Sequence, residues 1–136
     1  MNIRPARKED LKQCESIFNL PELYTPMGNN LNVENIEQYL DDKYFLVAEE
    51  KDKIVGAIYG ELLKVGAVIW ALAVLASERS QGTGSALLKA FEANARADKK
   101  HWTVLYAPAK SNQTISFYKK HNYYIGQNYF ECAKDL

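Results

Sequence analysis

The stretch AVIWALAVLASERSQGTGSALLKAF, residues 67–91, decides how this chain is expected to fold. Its first nine residues, Ala67–Leu75, form a continuous apolar run with β-branched and aromatic members, which predicts a buried strand. Apolar residues then recur at helical spacing from residue 82 to residue 97, and the buried face of this helix is expected to comprise Leu87, Leu88, Phe91 and Ala95. A glycine-rich turn therefore joins a strand to a helix, and the sequence poses the question of what that turn holds.

The turn has the features of a site for phosphate. The first N–H groups of a helix have no intrahelical partner, and together with the helix dipole they attract anions. Gly82 and Gly84 carry no Cβ, so a phosphate can approach the backbone closely, and Arg79 adds positive charge. The alternative interpretation is a tight turn in which the two glycines only relieve backbone strain.

Two common phosphate-binding patterns do not match this turn. A P-loop requires Gly-Lys-Ser/Thr at its end, whereas Gly84 is followed by Ser85 and Ala86. The dinucleotide-binding pattern requires a third glycine three residues after the second, and that position holds Leu87. A dinucleotide-binding fragment, which would bind NAD, is kept only as a weaker alternative.

The rest of the chain predicts further strands and helices around this unit. Upstream, NIRPA predicts a short edge strand, and KYFLVAEE and KIVGAIYGELL predict a hairpin that turns at Lys51 and Asp52. One helix is expected where Leu11, Cys14, Ile17 and Phe18 recur. Another is expected after Asn32, its N-cap, with a buried face of Val33, Ile36 and Leu40.

Downstream of the glycine turn, the pattern predicts a strand over 102–107 and a helix capped by Ser111 that ends near His121. The tail YYIGQNYFECAK predicts a closing pair of strands. Strands in succession followed by strand–helix alternation indicate an α/β fold of the α+β type, with a mixed sheet and helices on both faces. The strand at Ala67–Leu75, the helix and the next strand should form one parallel, right-handed crossover.

Composition limits the classes of function. A chain of 136 residues with 47% hydrophobic and 25% charged residues is expected to form a single domain over residues 1–136. The net charge of zero gives no basic field for nucleic acid or an anionic membrane. Cys14 and Cys132 are isolated, as are His101 and His121, so no metal site is expected. The absence of a signal sequence or a long apolar segment predicts a soluble cytoplasmic protein.

Two motifs give the chain a family resemblance. RSQGTG, residues 79–84, resembles the Arg/Gln-x-x-Gly-x-Gly/Ala signature of the GCN5-related N-acetyltransferase (GNAT) superfamily, and the preceding strand carries that family's Leu-x-Val. SNQTISFYKKHNYY, residues 111–124, is similar to the family's second motif, and IRPARKEDL is a common opening of its members. The resemblance covers nearly the whole chain. It implies a GNAT-like central mixed sheet of about six to seven strands flanked by about four helices.

The resemblance implies which residues bind acetyl-CoA. The backbone of Leu72 to Val74 would pair with the pantetheine amides like an added half-strand, and the amides from Gln81 to Ser85 would hold the pyrophosphate. The cofactor-binding residues implied are Leu72, Ala73, Val74, Arg79, Ser80, Gln81, Gly82, Thr83, Gly84, Ser85 and Asn112. The second motif departs from the family pattern at three places. Ser111 stands where the family has Asn, Thr114 where it has Ala, and Asn122-Tyr123 where it has Gly-Phe.

The resemblance also implies catalytic roles. Tyr118 would donate a proton or hydrogen bond to the departing CoA thiolate, although an aromatic packed on the inner face of its helix is the alternative. The strand Ala67–Leu75 has no carboxylate, so Glu61 on the preceding strand is the hypothesis for the general base, and a solvated edge carboxylate is the alternative. A bulge is expected in the Ala67–Leu75 strand, where a freed amide would stabilise the developing negative charge.

The expected activity is transfer of acetyl from acetyl-CoA to a primary amine by direct attack in a ternary complex. A non-catalytic acyl-CoA sensor is the rival from another class. The acceptor stays open between a polyamine, an amino acid, an antibiotic and a protein lysine or N-terminus. The loop at residues 21–30, with Glu22 and Tyr24, is expected to face it. Since family members often pair through sheet edges, a homodimer is expected, with no nucleic-acid or membrane partner.

Overall fold

The computed structural model describes residues 1–20, 31–128, 130, 132 and 134–136. They form two compact units, residues 1–105 and residues 106–136. The first unit contains five strands: β1 (Asn2–Pro5), β2 (Phe45–Glu50), β3 (Lys53–Leu62), β4 (Ala67–Val74) and β5 (Thr103–Leu105). It also contains three α-helices: α1 (Leu11–Phe18), α2 (Val33–Glu37) and α3 (Thr83–Ala97). The second unit contains α4 (Asn112–Lys120).

The five strands form one mixed sheet in the order β1-β2-β3-β4-β5. Neighbouring strands are antiparallel except β4 and β5, which are parallel because α3 connects them in a crossover. The hairpin between β2 and β3 turns at Lys51 and Asp52, where φ is 49° and 61°. Two successive positive φ values match the right-handed twist of the flanking strands. The predicted hairpin, the mixed sheet and the parallel crossover are therefore confirmed.

One face of the sheet is covered by α1 and α2. The apolar residues expected at helical spacing in α1 are all buried: Leu11, Cys14, Ile17 and Phe18. The ring of Phe18 meets that of Tyr59 on β3 edge-on, with 5.2 Å between ring centroids, and Tyr39 contacts the same ring at 4.9 Å. Aromatic packing of this kind fixes where the helix layer lies over the middle of β3.

The helix α3 covers the opposite face and approaches β3 closely. A Cβ added to Gly60 would lie 2.0 Å from the carbonyl oxygen of Val68 and 2.9 Å from the ring of Phe91. Only glycine fits at this point, because a Cβ would overlap the backbone of β4 and press on the Phe91 ring of α3. The expected buried face of α3 is confirmed, since Leu87, Leu88, Phe91 and Ala95 are all buried.

Asn32 caps α2 as predicted, because its side-chain oxygen accepts a hydrogen bond of 2.9 Å from the Asn35 N–H. The Glu15 carboxylate accepts a second bond, from the Val33 N–H, and so joins α1 to the start of α2. The helix is shorter than its apolar pattern suggested. It ends at Glu37, so that Leu40 lies beyond it.

Among the residues that the structure describes, the sheet has five strands, slightly fewer than the six to seven expected. Within residues 123–128, 130, 132 and 134–136, which include most of the predicted closing pair, none lies in a strand. Tyr124 is 94% exposed, so this aromatic does not pack as a strand residue would. The predicted strand over 102–107 is also shorter and keeps only Thr103–Leu105. The loop predicted at residues 21–30, with Glu22 and Tyr24, lies outside the described residues.

Among the residues that the structure describes, no helix is both long enough and apolar enough to cross a bilayer. The two thiols are free, Cys14 in the core and Cys132 on the surface.

Arg4 on β1 holds the first helix against the sheet edge. Its guanidinium donates to both carboxylate oxygens of Asp10, at 2.7 and 3.0 Å, and to Glu49 on β2 at 2.7 Å. Asp10, just before α1, also accepts a 2.8 Å bond from the Arg7 N–H and is only 4% exposed. Burial by itself raises the pKa of Asp10, but the hydrogen bonds from Arg4 and Arg7 outweigh it and hold the pKa below the ordinary 3.8.

We predict that Asp10→Asn destabilises the protein by about 2 kcal/mol at pH 7, because the Arg4 guanidinium then lacks its buried anionic partner. A carboxylate with a lowered folded pKa stabilises above its unfolded pKa, and that stabilisation is lost as pH falls through the folded pKa. The difference between wild type and variant should therefore shrink below pH ~4. Urea unfolding monitored by circular dichroism at several pH values measures it.

The matched control is Glu37→Gln, which removes a carboxylate from the exposed ion pair with Lys8. Its expected cost is below about 1 kcal/mol, because exposed pairs contribute little. Equal losses for the two variants at pH 7 would contradict the role given to Asp10.

Candidate active site

The C-terminal half of β4 is paired on one side only. β5 pairs with Ala67, Val68 and Ile69, and beyond them no strand in the described part of the chain lies on that side of β4. The Leu75 N–H donates to the carbonyl oxygen of Val55 at 2.9 Å, toward β3.

Backbone groups alternate in direction along a strand, so those of Leu72 and Val74 point to the open side, away from β3. The Val74 carbonyl oxygen does so, since it accepts a 3.0 Å bond from the Arg79 Nε atom rather than from β3. Leu72 and Val74 therefore present backbone groups at an open edge. The family resemblance implies that pantetheine pairs with these same residues. Ala73 between them is buried in the core.

A β-bulge lies where β4 loses its partner β5. Tyr59 on β3 is opposite Ala71 and Gly60 is opposite Ile69, so Trp70 is the extra residue on β4. The expected bulge in this strand is thus confirmed. An inserted residue takes backbone amides out of the ladder and re-aims neighbouring side chains.

The glycine-rich turn begins after a short 3-10 helix, Ala76–Glu78, and contains two residues in the left-handed region. Ser80 has φ of 65°, and Gly82, the N-cap of α3, has φ of 88°. A Cβ on Gly82 would meet no atom within 4 Å, so the turn opens to free space at this residue. The first helical bond runs from the Ala86 N–H to the Gly82 carbonyl, at 2.9 Å. The amides of Thr83 and Gly84 precede that bond and lie at the helix start, as an anion-binding turn requires.

Two side chains of the turn hold it against the preceding segment. Arg79 donates to the Val74 carbonyl oxygen as described, and the Gln81 amide donates to the Ser77 carbonyl oxygen at 3.2 Å. The Thr83 side chain is buried toward β3, so only its backbone is available to a ligand. Arg79 therefore braces the turn against β4.

Glu61, the hypothesis for the general base, lies near the end of β3 with an exposed side chain. The Trp70 indole N–H donates to its carboxylate at 3.1 Å, across the β3–β4 pair. The sequence did not single out Trp70. The sequence does show a large aromatic residue in the middle of an otherwise aliphatic strand, AVIWALAVL. Which residue forms a bulge, however, depends on the strand register, which the sequence does not reveal.

Helix α4, in the second unit, carries Tyr118. Ser111 caps the helix as predicted, accepting a 3.4 Å bond from the Thr114 N–H and donating a 2.7 Å bond to the Thr114 hydroxyl. Asn112, the first residue of the helix, is exposed. Tyr118 is buried, and burial raises its pKa to about 12. The phenol therefore keeps its proton at neutral pH and can donate a hydrogen bond or that proton.

The C-terminus of α4 fixes the ring of Tyr118. Asn122 has φ of 66°, so this residue supplies the left-handed conformation that glycine usually provides. The Asn122 N–H donates to the Lys119 carbonyl and the Tyr123 N–H to the Tyr118 carbonyl, both at 3.0 Å. The Tyr118 and Tyr123 rings then meet edge-on, with 5.4 Å between centroids. This is a Schellman motif with its usual apolar contact.

Comparisons with known proteins agree with this geometry. The model of the family described as acetyltransferase (GNAT) domain matches residues 41–125. A search of curated protein sequences found no match.

The fold is similar to that of solved acetyltransferases. The structure of Ard1 from Thermoplasma volcanium has a TM-score of 0.78 and 26% identity, covering 93% of this chain and 84% of that one. The structure of Chaetomium thermophilum Naa20 in complex with a bisubstrate analogue has a TM-score of 0.77 and 26% identity, covering 89% of this chain and 70% of that one. The structure of an aminoglycoside 6′-N-acetyltransferase from Acinetobacter haemolyticus has a TM-score of 0.77 and 16% identity, covering 100% of this chain and 99% of that one. At this identity the comparison shows a similar fold alone.

We predict opposite effects of two substitutions in the turn. Gly82→Ala should destabilise the protein by about 1 kcal/mol, because an L-residue is strained at φ of 88° although its Cβ has room. Ser80→Gly should be neutral or stabilise by roughly 0.5 kcal/mol, because it removes the same kind of strain. Both are measured by thermal and urea unfolding. Destabilisation by Ser80→Gly as large as that by Gly82→Ala would contradict the conformation described for the turn.

Proposed function

The chain belongs to the GNAT acetyltransferase family, whose model covers residues 41–125, and from this premise we propose that it transfers acetyl from acetyl-CoA to a primary amine by direct attack in a ternary complex. The observation that carries the proposal is the half-paired strand β4 leading into a turn that opens at Gly82. An open strand edge suits the amides of pantetheine, and a helix start suits the pyrophosphate.

The residues present fit acetyl-CoA in two respects. Leu72 and Val74 turn backbone groups to the open edge, and the space beside Gly82 would be narrowed by any Cβ. We propose that the backbone of Leu72–Val74 holds pantetheine and that the turn from Arg79 to Ser85 holds the pyrophosphate, with Asn112 as a further contact from the family resemblance. Bound acetyl-CoA supplies an activated thioester, and the chain supplies positioning and proton transfer.

We propose that Tyr118 and Glu61 carry the two proton transfers. Attack by the amine forms the C–N bond and breaks the C–S bond, so the amine must lose a proton and the sulfur must be stabilised as it leaves. Glu61, an exposed carboxylate, accepts the proton of the amine. Tyr118, which holds its proton at neutral pH, donates to the sulfur. An amide at the β4 bulge stabilises the carbonyl oxygen as negative charge develops.

Direct attack is favoured over an acetylated cysteine. Burial raises the pKa of the Cys14 thiol to about 12, so at neutral pH it carries almost no nucleophilic thiolate. Cys132 is exposed, but its surroundings in the sequence match no catalytic motif.

A non-catalytic acyl-CoA-binding module is the second candidate. The side chain of Ser111, which replaces the family's Asn, is engaged with Thr114 as a helix cap. This occupation favours the candidate, because the Ser111 hydroxyl then has fewer free hydrogen-bonding groups for a ligand. The two candidates share the cofactor site and differ in turnover.

The names of the similar proteins do not identify the acceptor amine of this chain. They include a bisubstrate complex of Naa20 and an aminoglycoside acetyltransferase. The homodimer, the single domain over residues 1–136 and the cytoplasmic location expected from the sequence stay predictions.

The proposal predicts that the protein binds acetyl-CoA with micromolar affinity and binds neither NAD nor ATP under the same conditions. Isothermal titration calorimetry with each ligand measures this. Gly82→Val should weaken acetyl-CoA binding at least tenfold, because its branched Cβ enters the space that the turn leaves open. A folded protein that does not bind acetyl-CoA would overturn the proposal, and NAD binding would point to the dinucleotide alternative.

Once a screen of amines identifies an acceptor, Tyr118→Phe should lower kcat roughly 100-fold or more and leave the KM for acetyl-CoA unchanged. The matched control is Tyr124→Phe, which removes a hydroxyl from an exposed tyrosine of the same unit and should change nothing. Glu61→Gln should alter the dependence of kcat/KM on pH, and an unchanged profile would remove Glu61 from the base role. Acetyl-CoA binding without turnover on any amine would favour the non-catalytic module.

A further inference from the structure

Trp70 is exposed where its strand would be expected to bury it. The indole is 47% exposed, while Ile69 before it is buried and Ala71 after it is half-buried. As the extra residue of the bulge, Trp70 has no register partner on β3 between Ile69 and Ala71, and this insertion re-aims its side chain. A large aromatic held at the surface by a bulge contributes little to the core, which raises the question of what its ring contacts.

The carboxylate of Glu61 lies at the edge of this indole. The Trp70 Nε1–H donates to the Glu61 Oε2 atom at 3.1 Å. An indole N–H points out of the edge of the ring, so this hydrogen bond does not use the π face. An indole N–H is a neutral donor, so the negative charge of Glu61 is not compensated by this bond. Among the residues described, Glu61 forms no ion pair.

These two groups together are complementary to an ammonium ion. The face of an indole attracts a cation more strongly than the other aromatic rings do, and a carboxylate beside it adds charge and hydrogen-bond acceptors. A neutral alcohol would gain only a hydrogen bond to the carboxylate, without the charge attraction, and an anion would be repelled by Glu61. The chemistry of the pair therefore selects for positive charge.

The pair also lies at the point of β4 where the proposed reaction takes place. The bulge at Trp70 is where β5 stops pairing and the open edge begins, and Glu61 faces Val68 just before that point. We propose that Trp70 and Glu61 bind the ammonium group of the acceptor, so that the acceptor is a cationic amine with no carboxylate beside its nitrogen. This inference rests on the proposed function. Among the open acceptors it favours polyamines, aminoglycosides, lysine side chains and peptide N-termini over free amino acids.

Two-dimensional ¹H–¹⁵N NMR tests the site directly, because the chain has two tryptophans and hence two indole N–H signals. Butylammonium is the probe, pentan-1-ol its neutral control and glycine its control with an adjacent carboxylate. We expect butylammonium to give a saturable shift of the Trp70 signal, with no shift of Trp102 and at least fivefold weaker effects from the two controls. Equal shifts from pentan-1-ol, or shifts of both indoles alike, would overturn the inference.

Variants separate the two contributions. Glu61→Gln should weaken butylammonium binding at least fivefold, and Glu34→Gln, an exposed carboxylate on α2, should leave it unchanged. Trp70→Leu should abolish binding and Trp70→Phe should retain part of it, both followed by the line width of the probe's methyl protons. Unchanged binding to Glu61→Gln or Trp70→Leu would overturn the site.

Acetyl-CoA titration of the same sample distinguishes failure of this inference from failure of the proposed function. Acetyl-CoA binding without a selective ammonium shift would sink only the Trp70–Glu61 site. A selective ammonium shift without acetyl-CoA binding would keep the cation site and sink the transferase.

Discussion

The incomplete pairing of β4 is the constraint on which the rest of the first unit depends. β4 pairs with β3 along its length, but it pairs with β5 over only three residues, Ala67–Ile69. The remaining backbone groups have to find other partners, because unpaired polar groups at a sheet are costly. Arg79 satisfies one of them by donating to the Val74 carbonyl. The others face the open edge, where we propose that pantetheine pairs with the strand.

Sequence reasoning reached the features that depend on local chemistry. The glycine turn, the α3 face and the Asn32 and Ser111 caps follow from residue type and spacing, and the structure confirms them. The mixed sheet and the bulge followed from the strand order and from a family resemblance. The turn, the helix face and the caps are short-range features, so neighbouring residues largely determine them.

Long-range pairing was harder to predict. The aromatic tail indicated two more strands, yet a strand needs a partner edge that composition does not reveal, and the described residues of the tail form none. The meeting of Trp70 with Glu61 requires knowledge of the register shift between Tyr59 and Gly60. The bracing role of Arg79 was missed for the same reason, since it depends on where the turn folds back. The roles of Tyr118, Glu61 and the cofactor-binding residues stay predictions.

The link between Arg79 and Val74 has a thermodynamic consequence. The Arg79 side chain fastens the turn to the end of the open strand, and Gln81 fastens it again to the segment between them. A ligand that spans strand and turn therefore meets two surfaces whose relative positions are already set, and it does not have to order a loose loop at the cost of chain entropy. Immobilising a rotamer-rich side chain on binding costs about 0.5–1.5 kcal/mol. Here folding has already absorbed that cost for two such side chains, so more of the contact energy remains available as affinity.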